Sequence, residues 1–212
     1  MRSPKTTRAG RPRQTELVFR TWGGKRKGAG RKPLGESAGV AHRSREPIGR
    51  RLPVHVTLTM GARVYNLRSR RSFRVIEKAL QGGADRFGVR VVELSVQGEH
   101  IHMMAETDDS PSLGRAMKGL SVRLAKGLNR MMGRKGRVLS DRYHAHVLRT
   151  PLETRRALRY IRDNHRKHMA AVGKPLAAGW VDPYSSGCPE VAALLASPQS
   201  WLLKVGWQRG TS

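Results

Sequence analysis

Val92-Glu93-Leu94-Ser95-Val96-Gln97-Gly98-Glu99-His100-Ile101-His102-Met103-Met104-Ala105-Glu106 is the stretch on which the fold turns. Val92, Leu94 and Val96 alternate with other residues, as on one face of a strand that follows Gly88. Gln97-Gly98-Glu99 reads as a tight turn. A second strand runs from about His100 to Glu106, so the two make a hairpin. Upstream, Val54, Val56, Leu58 and Met60 alternate with His55, Thr57 and Thr59, the pattern of a half-buried strand. Between these segments Ser72 is expected to cap a helix that buries Phe73, Ile76 and Leu80.

Downstream, Leu113, Met117, Leu120, Leu124, Leu128 and Met131 recur every three or four residues and predict a long helix over 112–132. A Gly/Arg/Lys turn over 133–136 ends it. A short strand is expected at about 144–148. Thr150-Pro151 then supplies an N-cap and a first-turn proline for a helix running to about His168. The tail from Gly173 carries Trp180, Trp201 and Trp207, with a short helix expected at 191–195; it either closes over the site or packs on the sheet. Strand, helix, strand, strand, helix, strand, helix points to an α+β fold. The arrangement expected is a ferredoxin-like (RRM-like) antiparallel sheet with helices mainly on one face.

Composition narrows the function. The chain has 212 residues and a formal net charge of +27, from 42 Lys+Arg against 15 Asp+Glu. Such an excess repels itself in a compact state, so a polyanion is the natural partner, with nucleic acid first. The basic runs face no apolar helix stripe, which argues against a membrane role. Cys188 is the sole cysteine, so no intrachain disulfide or cysteine-based zinc site can form. With no apolar h-region and no spanning run, a cytoplasmic, nucleoid-associated protein is expected.

Three segments follow. Residues 1–50 read as a disordered basic arm, too poor in apolar residues to offset the entropy of ordering. Within the arm, Ala9-Gly10-Arg11-Pro12-Arg13 and Ala29-Gly30-Arg31-Lys32-Pro33 resemble AT-hook cores, which would place Arg11 and Arg31 in a minor groove; a solvated tail explains them equally well. Residues 51–172 form the expected folded domain, and 173–212 a C-terminal extension. Arg115, Lys118, Arg123, Lys126 and Arg130 of the long helix are candidates to track a phosphate backbone.

His100 and His102 stand two apart on a strand and project to one face, where two imidazoles can grip a divalent cation. His144 and His146 form a rival pair. Tyr160 and Asn164, four apart, share a face of the last helix. A phenol brought to a cation can attack a phosphodiester and form a covalent intermediate, with Asn164 as a neutral oxygen ligand. Tyr143 and Tyr65 are competing nucleophiles in principle, and His55 reads as a satisfied sheet residue.

Taken jointly, the strand with His100-Ile101-His102, the long amphipathic helix, Asp141-Arg142-Tyr143, the short strand and the helix bearing Arg159-Tyr160-Ile161 with Asn164 resemble the single-tyrosine HUH transposases. The resemblance covers about residues 52–168 and is greatest to the branch of the REP-associated tyrosine transposases. It implies an HUH endonuclease-type fold, with His100, His102 and Asn164 binding Mg2+ or Mn2+. It also implies that Tyr160 attacks single-stranded, hairpin-containing DNA to give a 5′-phosphotyrosine and a free 3′-OH, as in transposition. Many relatives have asparagine where Glu99 stands, and Asn-Pro where Asn164-His165 stands. Whether Tyr160 serves its own subunit or a homodimer partner is open. The rivals are a non-catalytic hairpin-binding protein on the same fold, an RNA-binding basic protein, and a metallohydrolase using the histidine pair.

Overall fold

Strand β1, Pro53–Thr59, is the axis of the molecule: its alternation sends Val54, Val56 and Leu58 to one side of a sheet and His55, Thr57 and Thr59 to the other. The computed structural model describes residues 47–49, 52–83 and 86–209. The expected basic arm lies almost wholly outside the described residues, and Arg11 and Arg31 lie outside them entirely.

Around β1 run α1 (Arg70–Gln81), β2 (Arg90–Val96), β3 (His100–Glu106), α2 (Ser110–Met131), β4 (His144–Val147) and α3 (Pro151–Ala171), followed by the short helices α4 (Pro189–Ala192) and α5 (Trp201–Lys204). The sheet order is β2-β3-β1-β4, and each neighbouring pair is antiparallel. This is the expected ferredoxin-like order.

Helices α1 and α2 cover one face. Phe73, Ile76 and Leu80 of α1 join Leu113, Met117, Leu124 and Leu128 of α2 over Val54, Val56, Leu58, Ile101 and Met103. A Cβ on Gly127 would meet Val75 Cγ1 at 2.5 Å, so α1 and α2 approach closely where α2 has no side chain. The third long helix lies on the opposite face, where Ala157, Leu158 and Ile161 pack with Met104, Leu148 and Leu203.

Two local readings change. The cap of α1 is Ser69, which is extended and whose side chain accepts from the Ser72 amide; Ser72 itself is buried inside the first turn. A bulge between Val91 and Glu93 inserts one extra residue into β2. It turns Val92 toward the α3 side with Met104, while Leu94 and Val96 stay in the larger core. The α3 start is as expected: Thr150 and Glu153 form a reciprocal capping box, with Pro151 in the first turn.

The C-terminal extension packs on the sheet. Ser186 and Ala196 donate backbone hydrogen bonds to Leu94 and Val91, and Val96 donates to Tyr184, so the outer edge of β2 is covered. Buried Glu106 accepts from the backbone amides of Gln199 and Ser200 and pairs with Arg90 at 2.8 Å. Arg68 holds Asp182 through two bonds of 2.8 and 3.0 Å. Among the described residues, no helix is long and apolar enough to cross a membrane.

Candidate functional site

The register of the sheet gathers histidines on the α3 side. Thr57 pairs across the ladder with His102 on one flank and His144 on the other; His55 pairs with Met104 and His146; Thr59 pairs with His100. Directly paired residues share a face. His55, His100, His102, His144 and His146 therefore stand on one surface, and α3 adds His165 and His168. Sequence patterning isolated two His-x-His pairs and treated them as rivals. The alternation of β1, with Val54, Val56 and Leu58 inward, put His55, Thr57 and Thr59 on the opposite side of that strand, and the cross-strand register joined them to both pairs.

A cavity of about 1020 Å³ opens there, and His100, His102, Tyr160 and Asn164 all line it. Thr57, Thr59 and His144 contribute from the sheet, and His165 and His168 from α3. The His100 and His102 rings are nearly parallel, inclined by 10° with centroids 6.1 Å apart. Tyr160, which is 43% exposed, sets its ring perpendicular to that of His102, with centroids 5.2 Å apart, and lies 5.8 Å from the His55 ring. Buried Ala157, Leu158 and Ile161 anchor the adjacent face of α3, which holds Tyr160 at the edge of this packing.

Electrostatics keep the central imidazoles neutral. Burial, and then the neighbouring His55 and His100, push His102 down to about 4. Burial, and then His144 and His146, push His55 down to about 4. The Thr57 hydroxyl lies 3.1 Å from His102 Nδ1. If that nitrogen carries the proton and donates to Thr57, Nε2 keeps its lone pair for a ligand. His55 departs from expectation: its Nε2 is buried and has no partner among the described residues, so it is not a satisfied sheet histidine. His165 is lowered mainly by burial and then by Arg68, and its ring lies 5.5 Å from that of Trp180.

Among the described residues no three His, Cys, Asp or Glu side chains are grouped to hold a metal ion. The donor set is two adjacent imidazoles, one of them neutral and backed by a hydroxyl, plus the neutral amide of Asn164 on the same cavity. That set fits a cation that retains water or phosphate oxygens in its other positions.

The other expected residues are dispersed. Arg115, Lys118, Lys126 and Arg130 are exposed on α2, across the sheet from the cavity. Arg123 is half-buried and donates to the Ala79 carbonyl at 2.8 Å, tying α2 to the end of α1. Tyr143 packs partly buried against the larger core. Tyr65 is 57% exposed, between cavity-lining Val64 and Asn66. Around Tyr160, α3 instead presents exposed Arg156 and Arg159.

No known family model matches the sequence, and no curated protein does. Solved structures do match. A REP-associated tyrosine transposase, solved bound to a REP hairpin, aligns over 74% of this chain and 89% of its own, with a TM-score of 0.52 and 20% identity. A bacterial tRNA(His) guanylyltransferase-like protein in complex with GTP covers 58% of this chain and 67% of its own, at a TM-score of 0.40 and 10% identity. A candidate transposase from Deinococcus radiodurans covers 66% of this chain and all of its own, at a TM-score of 0.37 and 11% identity. The four-stranded antiparallel sheet with its helices thus has the fold of the REP-associated tyrosine transposase, an HUH-type enzyme.

Proposed function

We propose that this chain cleaves and rejoins single-stranded DNA with Tyr160 as nucleophile, as a transposase does. One observation carries the reading: the Tyr160 ring, delivered by α3, lies against the His102 ring of β3, on the cavity that His100 and Asn164 also line. The transposase fold and the net charge of +27 support it, and the hairpin bound to that structural neighbour makes hairpin-bearing DNA the substrate to test first.

His100, His102 and Asn164 are the residues that would hold the divalent cation. When bound, Mg2+ or Mn2+ would supply Lewis-acid stabilisation of the charge that develops on the phosphate. The rest falls to the chain. The Tyr160 oxygen forms a bond to phosphorus as the bond to O3′ breaks. The phenol loses its proton and the departing 3′ oxygen gains one, so no water is consumed and nothing is oxidised or reduced. The product is a 5′-phosphotyrosine and a free 3′-OH, and attack by a 3′-OH reverses the step and rejoins the strand. Neutral His102 keeps a second positive charge out of the nucleophile's surroundings. Exposed Arg156 and Arg159 offer phosphate contacts beside Tyr160.

The test is formation of an SDS-resistant adduct on hairpin-bearing single-stranded oligonucleotides with Mn2+. Wild type is expected to form it and to lose it in EDTA. Tyr160→Phe is expected to bind DNA as well as wild type but to form none. Absence of an adduct from wild type in Mn2+ overturns the reading.

A further inference from the structure

Tyr160 borders two cavities. Besides the one at the His100–His102 pair, a second of about 460 Å³ lies on its other side, lined by His55, His146, Leu148, Glu153, Arg156, Ala157 and Tyr160. Its size falls within the roughly 300–1,000 Å³ typical of small-molecule sites. Leu148 and Ala157 are buried aliphatic residues, and three of the remaining five lining groups are flat rings.

An isolated anion fits poorly. An isolated phosphate would face the Glu153 carboxylate, which also lines the cavity and is committed to the start of α3, where it accepts from the amides of Arg149 and Thr150. A planar, uncharged aromatic group with hydrogen-bonding edges matches the lining better. Rings stack on it and aliphatic groups support it.

We propose that this second cavity is a subsite for one unpaired nucleobase of the single strand, next to the phosphate presented to Tyr160. The assignment rests on the transesterase reading for its substrate class. Because Tyr160 lines both cavities, a phosphodiester at its hydroxyl leaves one flanking nucleotide on each side. The nucleotide on the His55 side places its base against His146 and Tyr160, and exposed Arg156 meets the next phosphate or stacks on the base.

The test uses the full chain in EDTA, so that nothing is cut, and oligonucleotides carrying a single abasic site at each position flanking the scissile phosphate. Binding is read by fluorescence anisotropy. One abasic position is expected to weaken wild-type binding about tenfold, the scale of one lost base–aromatic stack. The His146→Ala/Arg156→Ala double variant is expected to bind the intact strand at least as weakly as wild type binds the abasic one, and to lose the discrimination between them. A flat abasic series in wild type, or discrimination that survives in the double variant, overturns the subsite. Adduct formation with Mn2+, measured in parallel, separates the two claims. An adduct with a flat abasic series removes the subsite and leaves the transesterase; an abasic penalty without any adduct does the reverse.

Discussion

Thr57 Oγ1 lies 3.1 Å from His102 Nδ1 across the β1–β3 ladder. It fixes the orientation of an imidazole that is only 6% exposed. Thr57→Val keeps the shape but leaves that nitrogen without its hydroxyl. Groups of this kind behind a metal-binding histidine are worth roughly 10- to 100-fold in affinity. Mn2+ affinity by calorimetry should fall within that range, and Thr57→Ser should retain most of it. Equal affinity in Thr57→Val and wild type would show that the hydroxyl does not orient the ring.

Tyr160 depends on the seating of α3, and Ile161 is its most buried anchor, at 0% exposure. Ile161→Ala should cost about 2–5 kcal/mol of stability, the usual range for a large-to-alanine change in a core. Hydrogen exchange along α3 should rise more than along α1, because Ile161 belongs to the smaller cluster on the α3 side of the sheet. Uniform exchange in both helices would mean that α3 does not loosen separately.

Acid should weaken the folded state before carboxylates titrate. His55 and His102 are both held down to about 4 in the fold, first by burial, against about 6.5 in an unfolded chain. Between those values the unfolded chain takes up protons that the fold refuses, so stability falls as pH drops from 6.5 to 4 and this contribution levels off below 4. A loss on the order of 3 kcal/mol in all is expected, after allowance for partial solvent access and coupling. Urea midpoints in EDTA at pH 7 and pH 4.5 check this. The His55→Gln/His102→Gln variant should lose less over the same interval, and an equal loss would assign the effect to other groups.

Charge on the two sides of the sheet should act differently. Arg159 is exposed beside Tyr160, whereas Lys118 and Lys126 are exposed on α2 across the sheet. For a short single strand at the cavity, Arg159→Ala should reduce the slope of log affinity against log salt by about 0.7, one phosphate contact's worth. Lys118→Ala/Lys126→Ala should leave that slope unchanged. The opposite pattern would move the strand to α2.

Periodicity together with turn and cap residues made the hairpin at 97–99, the strand at 100–106, the long helix α2 and the capped start of α3 legible, because alternation, the 3.6-residue repeat, Gly98 and Thr150-Pro151 are properties of local sequence. It also put His100 beside His102 and Tyr160 beside Asn164. Local patterning could not register the bulge at Val91/Glu93, which turned Val92 to the other side, nor choose Ser69 over Ser72 as the cap of α1, since both serines suit that role. Which face α3 covers was beyond it too. That depends on where Ala157, Leu158 and Ile161 find apolar partners in Met104, Leu148 and Leu203, and those partners are distant in the chain. Cross-strand register then decided that His55 and His146 share a surface with His100 and His102, because pairing of separate strands is long-range hydrogen bonding that no local window contains. The ingredients of the chemistry belonged to the sequence; their meeting at one cavity was decided by packing.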